Sequence, residues 1–495
     1  MNHRLILLTL ICTLNFHSLI AQTSAGNSFY VDYPSWNAGS QPPVYFDCGT
    51  NNILNTGNEL TLEVWVRLYN STWNQKILGK VTPAFNNGFL MGAQLGQNYT
   101  EIWNPGLNTI QGGSTPIDSA WVHFATSFAS GVQMLCYING EQVGGLPLTS
   151  SAIASSTNPF IIGIAPWDLS NFQTFGQIDE VRIWSVAKTQ AEIKSSMHKT
   201  LLGTEQNLVA YYDFNQSSGG VLPDVSGNAN TGNINSAANY WSWSPSYAAV
   251  GNSTMYDMVD VNGVWYGKDP SLYNYATTTN GLNLVSSIQA KNFDYAVYGH
   301  NDSAGVSATW LPINFPNDFI RCSREWNLNK GGNVNSDLYF NISNASGGGD
   351  SLPKNLAVQN YTLLHRTTNN QNFTAIAAAG SLLANGTVVK FSGVSLQDGF
   401  YSFGVGSSPV ITSAPELNGV YEVQVFPNPC TDEFTLSNIA GSSITLYDLQ
   451  GKKILCWEGT ELSQKINVSQ IENGIYMLQI NRDQHNISKK LIIQK

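Results

Sequence analysis

The sequence predicts an all-β protein of several modules: a β-sandwich or jelly roll, a second β-module and a small C-terminal β-unit. Three observations carry this. Short runs alternate apolar and polar residues, the period of a half-buried strand. Turn residues bound those runs, with 44 Gly and 53 Asn among 495 residues. Charged residues reach only 11 %, against the ~25 % usual for soluble domains, which excludes long charged helices and coiled coils. Apolar residues reach 42 %, with 13 Trp, 22 Tyr and 21 Phe, enough to build packed cores. Twenty-three basic against 33 acidic residues leave a net charge of −10. That opposes nucleic-acid binding, which needs clustered Lys and Arg.

The first module is expected over residues 28–244. In Leu60–Leu68, residues Leu62, Val64, Val66 and Leu68 fall on one face and Thr61, Glu63, Trp65 and Arg67 on the other. Trp121–Thr126, Phe160–Ile164 and Ile178–Trp184 read as further strands. Val132–Ile138 and Glu141–Val143 flank Asn139-Gly140, a pair suited to a type I′ hairpin turn. A short helix follows from about Gln190 to His198. Thr189 and Glu192 have the spacing of a capping box, in which each side chain satisfies a backbone N–H of the first turn. The ordered blocks Glu63–Val66, Trp121–Ala125, Cys136–Gly140, Gly176–Trp184, Ala187–Met197, Leu208–Phe214 and Asp224–Asn228 resemble the LamG-like, concanavalin A-like jelly-roll family.

A second all-β module is expected over 249–408. Met255–Val261 and Val264–Tyr266 flank Asn262-Gly263 and read as another hairpin. Strands follow at Tyr295–Tyr298, Asp337–Ile342, Tyr361–His365, Val388–Phe391 and Tyr401–Val405, with a polar loop at Asn344–Asp350. Tyr298–Asp302, Arg321–Trp326 and Asp398–Tyr401 resemble, more loosely, a module that accompanies LamG-like domains in secreted proteins of the Bacteroidetes type. No biochemical role comes with that resemblance.

A linker at 409–419 leads to a third unit at 420–495. Phe426, Pro427, Asn428 and Pro429 open it, Asp448–Gly451 turns the chain, and Gly474, Tyr476 and the run ending at Lys495 close it. These blocks resemble the type A C-terminal sorting domain of the type IX secretion system. The resemblance implies a small Ig-like β-sandwich, contact with the secretion machinery, export across the outer membrane and removal of this domain. At the other end, Arg4, the apolar run Leu5–Leu14 and Leu19-Ile20-Ala21 read as a secretory signal peptide over 1–21. Asn15 and His17 interrupt the run before it reaches the ~20 residues of a membrane span, and no later stretch is long and apolar enough.

Cys48, Cys136, Cys322, Cys430 and Cys456 are widely spaced, without CxxC. This excludes the usual zinc and thioredoxin patterns. Cys430 with Cys456 is the disulfide to test, and buried free thiols are the alternative.

Hydrolysis of a glycosidic bond with retention needs two carboxylates about 5 Å apart. Asp179 and Glu180 are neighbours on one strand, so strict alternation sends them to opposite faces. No other strand pairs carboxylates, and no nucleophile elbow, HExxH or P-loop is present, so no catalytic residue is assigned. His123 reads as a packed or structurally hydrogen-bonded side chain, and Trp65, Trp121 and Trp184 as core. Trp73, Trp103 and Trp167 fall in polar stretches that read as loops. They are the candidate platform for stacking on sugar rings. LamG-like domains often hold one structural calcium ion. The resemblance nominates Asp179, Asp224 and Asn228 as oxygen ligands, with an Asx turn as the metal-free alternative for Asp224–Asn228. The expected function is non-catalytic recognition of a glycan or extracellular matrix polymer, in adhesion. The alternatives are a polysaccharide hydrolase or lyase with an atypical site, and a ligand-free spacer.

Overall fold

The computed structural model describes residues 25–406 and 423–494, apart from 33–42, 70–73, 104–105, 114–118, 149–151, 237–239, 267–271, 287–293, 343–360 and stretches of one to three residues. The expected signal peptide, the linker, the loop at Asn344–Asp350, Trp73 and Lys495 lie outside the described residues. The fold is all-β, with about 54 % of the described residues in strands and 4 % in helix. Residues up to Thr412 form one compact unit and those from Ser413 form another.

Two antiparallel eight-stranded sheets make a sandwich in the first half of the larger unit. In the first sheet, Glu59–Leu68 lies centrally between Trp121–Ala129 and Gly176–Trp184. The inward residues Leu62, Val64 and Val66 meet Phe46, Phe89, Met91 and Ile162 of the facing sheet in one core. Stacked sheets bury one face of each strand in this way. Asn139 and Gly140 both take positive φ between paired strands Gln133–Ile138 and Glu141–Pro147, which is the expected hairpin. The helix runs Gln190–Ser196, and its capping box with Thr189 and Glu192 is formed.

The outward face of the first sheet is also buried. Trp65 and Trp121 pack with Met197, Ala248–Val250, Met255, Trp265, Tyr295 and Val297 in a second cluster. The alternation of Leu60–Leu68 is therefore as expected, but its polar face is covered by chain from residues 248–297. Trp65 Nε1 donates to Met197 O at 2.9 Å and Trp265 Nε1 donates to Trp121 O at 3.1 Å. The rings of Trp65 and Trp265 meet edge to face with centroids 5.6 Å apart.

Beyond this seam stand a nine-stranded and a four-stranded sheet. Their shared core includes Leu284, Tyr298, Trp326, Phe340 and Phe403. The expected hairpin at Asn262-Gly263 is corrected here. Val259–Tyr266 is one continuous strand paired with Leu272–Tyr275 and Tyr295–His300, and Met255 ends a 3₁₀ turn. Asn262 Oδ1 accepts from Thr277 N at 2.8 Å instead of closing a turn. Gly263 serves close approach: a Cβ there would lie 2.5 Å from His198 Cε1.

The C-terminal unit carries a three-stranded and a four-stranded sheet around Phe434, Leu436, Ile444, Leu446, Leu478 and Leu491. Among the described residues, Cys48, Cys136, Cys322, Cys430 and Cys456 form no disulfide, so Cys430 and Cys456 are not joined.

Candidate functional site

Two clusters of polar and aromatic side chains stand out in the first sandwich. One is sealed and one is open.

The sealed cluster lies on the outward face of the first sheet. Glu63 accepts from Trp184 Nε1 at 2.7 Å and from Lys188 Nζ at 3.3 Å, and its other oxygen is 3.4 Å from His123 Nε2. Burial alone would raise the Glu63 carboxyl. Lys188, then His123 and Arg182, override it and hold the group well below the usual carboxylate range. Burial holds His123 below the ordinary imidazole value. His123 is buried with its ring 5.4 Å from that of Trp65, the packed side chain that the sequence reading allows.

The neighbouring strand departs from the alternation read in the sequence. A bulge lies between Asp179 and Arg182, with Glu180 at φ +53°. An extra residue in one strand breaks the two-residue period. The bulge therefore puts Asp179, opposite Trp65, on the same buried face as Glu180 and Arg182, where Arg182 Nη2 donates to Glu180 Oε2 at 2.6 Å and Tyr211 Oη donates to Glu180 at 2.9 Å. Asp179 accepts from Ser246 Oγ at 2.5 Å and from Glu180 N at 2.8 Å. Burial, reinforced by the Glu180 charge, raises Asp179 well above the usual carboxylate range. The acid pair is thus closer than strict alternation allows, yet Asp179 and Glu180 are buried beneath the seam.

The open cluster lies on the outer face of the second sheet. Strand Gln97–Trp103 sends Tyr99, Glu101 and Trp103 outward, opposite Gln111, Thr109 and Leu107 in register. Trp103 corrects the sequence reading: it ends a strand, is 2 % exposed, and packs with Val81 and Leu90 beneath Trp167. Trp167 is half-buried on a loop, 6.2 Å ring to ring from Phe172. Gly79 admits that loop, because a Cβ there would meet Pro166 Cγ at 3.2 Å. Tyr99, which the sequence reading did not select, is half-buried in the same cluster. Its hydroxyl donates to Glu101, and the Lys76 ammonium lies 3.8 Å from its ring centroid. Burial lowers Lys76 to about 8. The signal for Tyr99 was its alternation with Asn98 and Thr100, which point inward.

Residues 39–194 match the model of the concanavalin A-like lectin/glucanases superfamily, and residues 424–494 match that of the secretion system C-terminal sorting domain. The chain therefore joins a concanavalin A-like domain to a type IX sorting domain. No curated protein matches the sequence. Among solved structures, one similar chain is a Bacteroides ovatus protein assigned provisionally to carbohydrate binding. It is 17 % identical, with TM-score 0.34, over 43 % of this chain and 58 % of that one. The chain thus spans just over half the length of that relative. A pentraxin from Limulus polyphemus is 14 % identical, with TM-score 0.27, over 35 % of this chain and 82 % of its own. Domain 4 of an extracellular arabinanase from Geobacillus stearothermophilus, solved with arabinotriose, is 17 % identical, with TM-score 0.24, over 34 % and 86 %.

The nominated calcium ligands fall in two hydrogen-bond sets: Asp224 and Asn228 meet through Ser226 Oγ, and Asp179 bonds Ser246. Asp224 accepts from Tyr211 N, Ser226 N, Ser226 Oγ, Asn230 N and Asn230 Nδ2 at 2.6–3.1 Å. Asn228 Nδ2 donates to Leu208 O and Val209 O, while Asp179 lies in the sealed cluster. Ser226 N donates to Asp224 Oδ1 at 3.0 Å, the local geometry of an Asx turn. Among the described residues, no three His, Cys, Asp or Glu side chains gather to hold a metal.

In the sorting domain, Asn428 ties the opening motif to the last strand, His485–Ile493. Its Nδ2 donates to Lys490 O at 2.7 Å and its Oδ1 accepts from Ile492 N at 2.9 Å. Phe426 is exposed, and Tyr476 Oη donates to Glu472 O at 2.8 Å from the strand that begins at Gly474. The domain directs the chain through the type IX machinery to the cell surface or extracellular space. Among the described residues no helix is long and apolar enough to cross a membrane.

Proposed function

We propose that this secreted chain is a non-catalytic saccharide-binding protein, engaging extracellular polysaccharide through the outer face of the second sheet of its concanavalin A-like domain. The observation that carries this is the joint placement of Tyr99 and Trp167 on one accessible face, beside exposed Thr109 and Gln111. Aromatic rings cover the C–H faces of pyranoses, and hydroxyl and amide groups direct the sugar hydroxyls. Few polar groups placed around an apolar floor are the usual makeup of such sites. Trp103 supports Trp167 from below and Glu101 fixes the Tyr99 hydroxyl, so the face is held before ligand arrives, which limits the entropy lost on binding. Burial of Asp179 and Glu180 keeps this acid pair from the reach of a polymer, which favours binding over cleavage.

Affinity electrophoresis of the purified chain through gels loaded with soluble polysaccharides tests this, with reducing ends assayed on the same polymers. Retardation by at least one polymer is expected, weakened about tenfold, or about 1.4 kcal/mol, in Tyr99→Ala, Trp167→Ala. Retardation unchanged in that variant, or release of reducing ends, overturns the reading.

A further inference from the structure

The second module carries a cleft that the reading above does not use. It has a volume of about 640 Å³, within the ~300–1,000 Å³ range of small-molecule sites. Its floor is the buried ring of Phe400 with the side chain of Met258. Its wall is an ion triad: Glu325 takes Arg321 Nη2 at 2.9 Å on one oxygen and Arg366 Nη2 on the other. Arg366 also donates from Nη1 to Gln371 O at 3.0 Å, and its guanidinium carbon lies 4.5 Å from the Phe373 ring centroid and 5.6 Å from that of Phe400. Both arginines are thereby fixed, and the wall is rigid.

The rim is oxygen-rich. Thr367 and Thr368 are exposed, and their hydroxyls donate away to Gln371 Oε1 at 2.8 Å and Asn370 Oδ1 at 2.6 Å. This leaves their lone pairs as acceptors. Asp257 adds an exposed carboxylate on the opposite rim. Asn301 Oδ1 accepts from Ser303 N and Glu325 N, so its Nδ2 remains to donate. Asn369 supplies both functions. Such a rim suits a ligand whose many hydroxyls donate and accept. It disfavours an anion, because the lining cation, Arg366, is committed to Glu325 and the rim carries Asp257.

We infer that this cleft is a second saccharide site, separate from the sheet face, and that it takes a short neutral oligosaccharide whose hydroxyls bond the polar groups of the rim. The inference does not depend on the sheet-face reading. Its test therefore uses the full chain carrying Tyr99→Ala and Trp167→Ala, which keeps ligand at that face out of the signal. Calorimetric titration with cellotriose, maltotriose, xylotriose, mannotriose and trigalacturonate is compared with the same chain bearing Asp257→Ala or Asn369→Ala. Both positions are exposed, and equal melting temperatures confirm that the variants fold. At least one neutral trisaccharide is expected to bind, each substitution weakening it about fivefold or more, as loss of one directional hydrogen bond does. Absence of binding by all four neutral trisaccharides, binding unmoved by both substitutions, or tighter binding of trigalacturonate overturns the inference.

Discussion

Glu63 shows how one side chain organises a buried polar face. Its carboxylate holds Lys188, Trp184 and His123 together on a surface with no access to water. Glu63→Ala strands the Lys188 ammonium, and removing one partner of a buried ion pair costs about 3–5 kcal/mol. A urea-unfolding midpoint shifted by the equivalent of less than about 1 kcal/mol would contradict this. Asp179 and His198 give the same face opposite pH responses. Asp179 is raised in the folded chain, so its contribution is full below the ordinary value of ~3.9 and is lost as pH rises through its folded value. Burial lowers His198 to about 3. Its contribution is full above the ordinary imidazole value of ~6.5 and is lost as pH falls towards its folded value. Asp179→Asn removes its share of the alkaline arm, to which Glu180, also raised by burial, adds the rest. Urea midpoints from pH 5 to 8 should fall less steeply in that variant, and an unchanged slope would sink the assignment.

At the scale of the element, the same dipeptide had two outcomes. Asn139-Gly140 closes a hairpin, because both residues take positive φ and their flanking strands pair. Asn262-Gly263 sits inside a strand, because neighbours on both sides claim its backbone and His198 needs the space that glycine leaves. Local propensity could not separate these cases. Gly263→Ala is expected to cost about 1–3 kcal/mol through overpacking against His198, read as a lowered melting temperature. A neutral substitution would show that the imidazole moves aside freely. The bulge at Asp179–Arg182 belongs to the same lesson. Period-two reasoning gave the correct faces for Leu60–Leu68 and failed where an extra residue entered the partner strand. Trp103 was misplaced for a related reason: polar neighbours suggested a loop, whereas pairing with Leu107 makes it the end of a strand.

For the larger unit as a whole, the Trp65–Trp265 seam joins sheets that each have a core of their own. Trp65→Phe and Trp265→Phe should therefore be non-additive, with a coupling of about 0.5–1.5 kcal/mol for an edge-to-face aromatic pair. Additive double-mutant energies would mean that the two sandwiches ignore each other. The all-β class, the sandwich with its apolar face, the capped helix and the sorting domain were legible in the residues. Each of these is written in short-range periodicity, turn chemistry or an ordered set of motifs. Tertiary structure alone decided that the polar face of Glu59–Leu68 is buried, that Asp179 and Glu180 share a bulge, and that Tyr99 stands with Trp167. It alone assembled the cleft beside Phe400 from residues between 253 and 400. Those facts depend on which surfaces meet after the chain has folded, and contacts between residues far apart in the chain leave no local pattern to read.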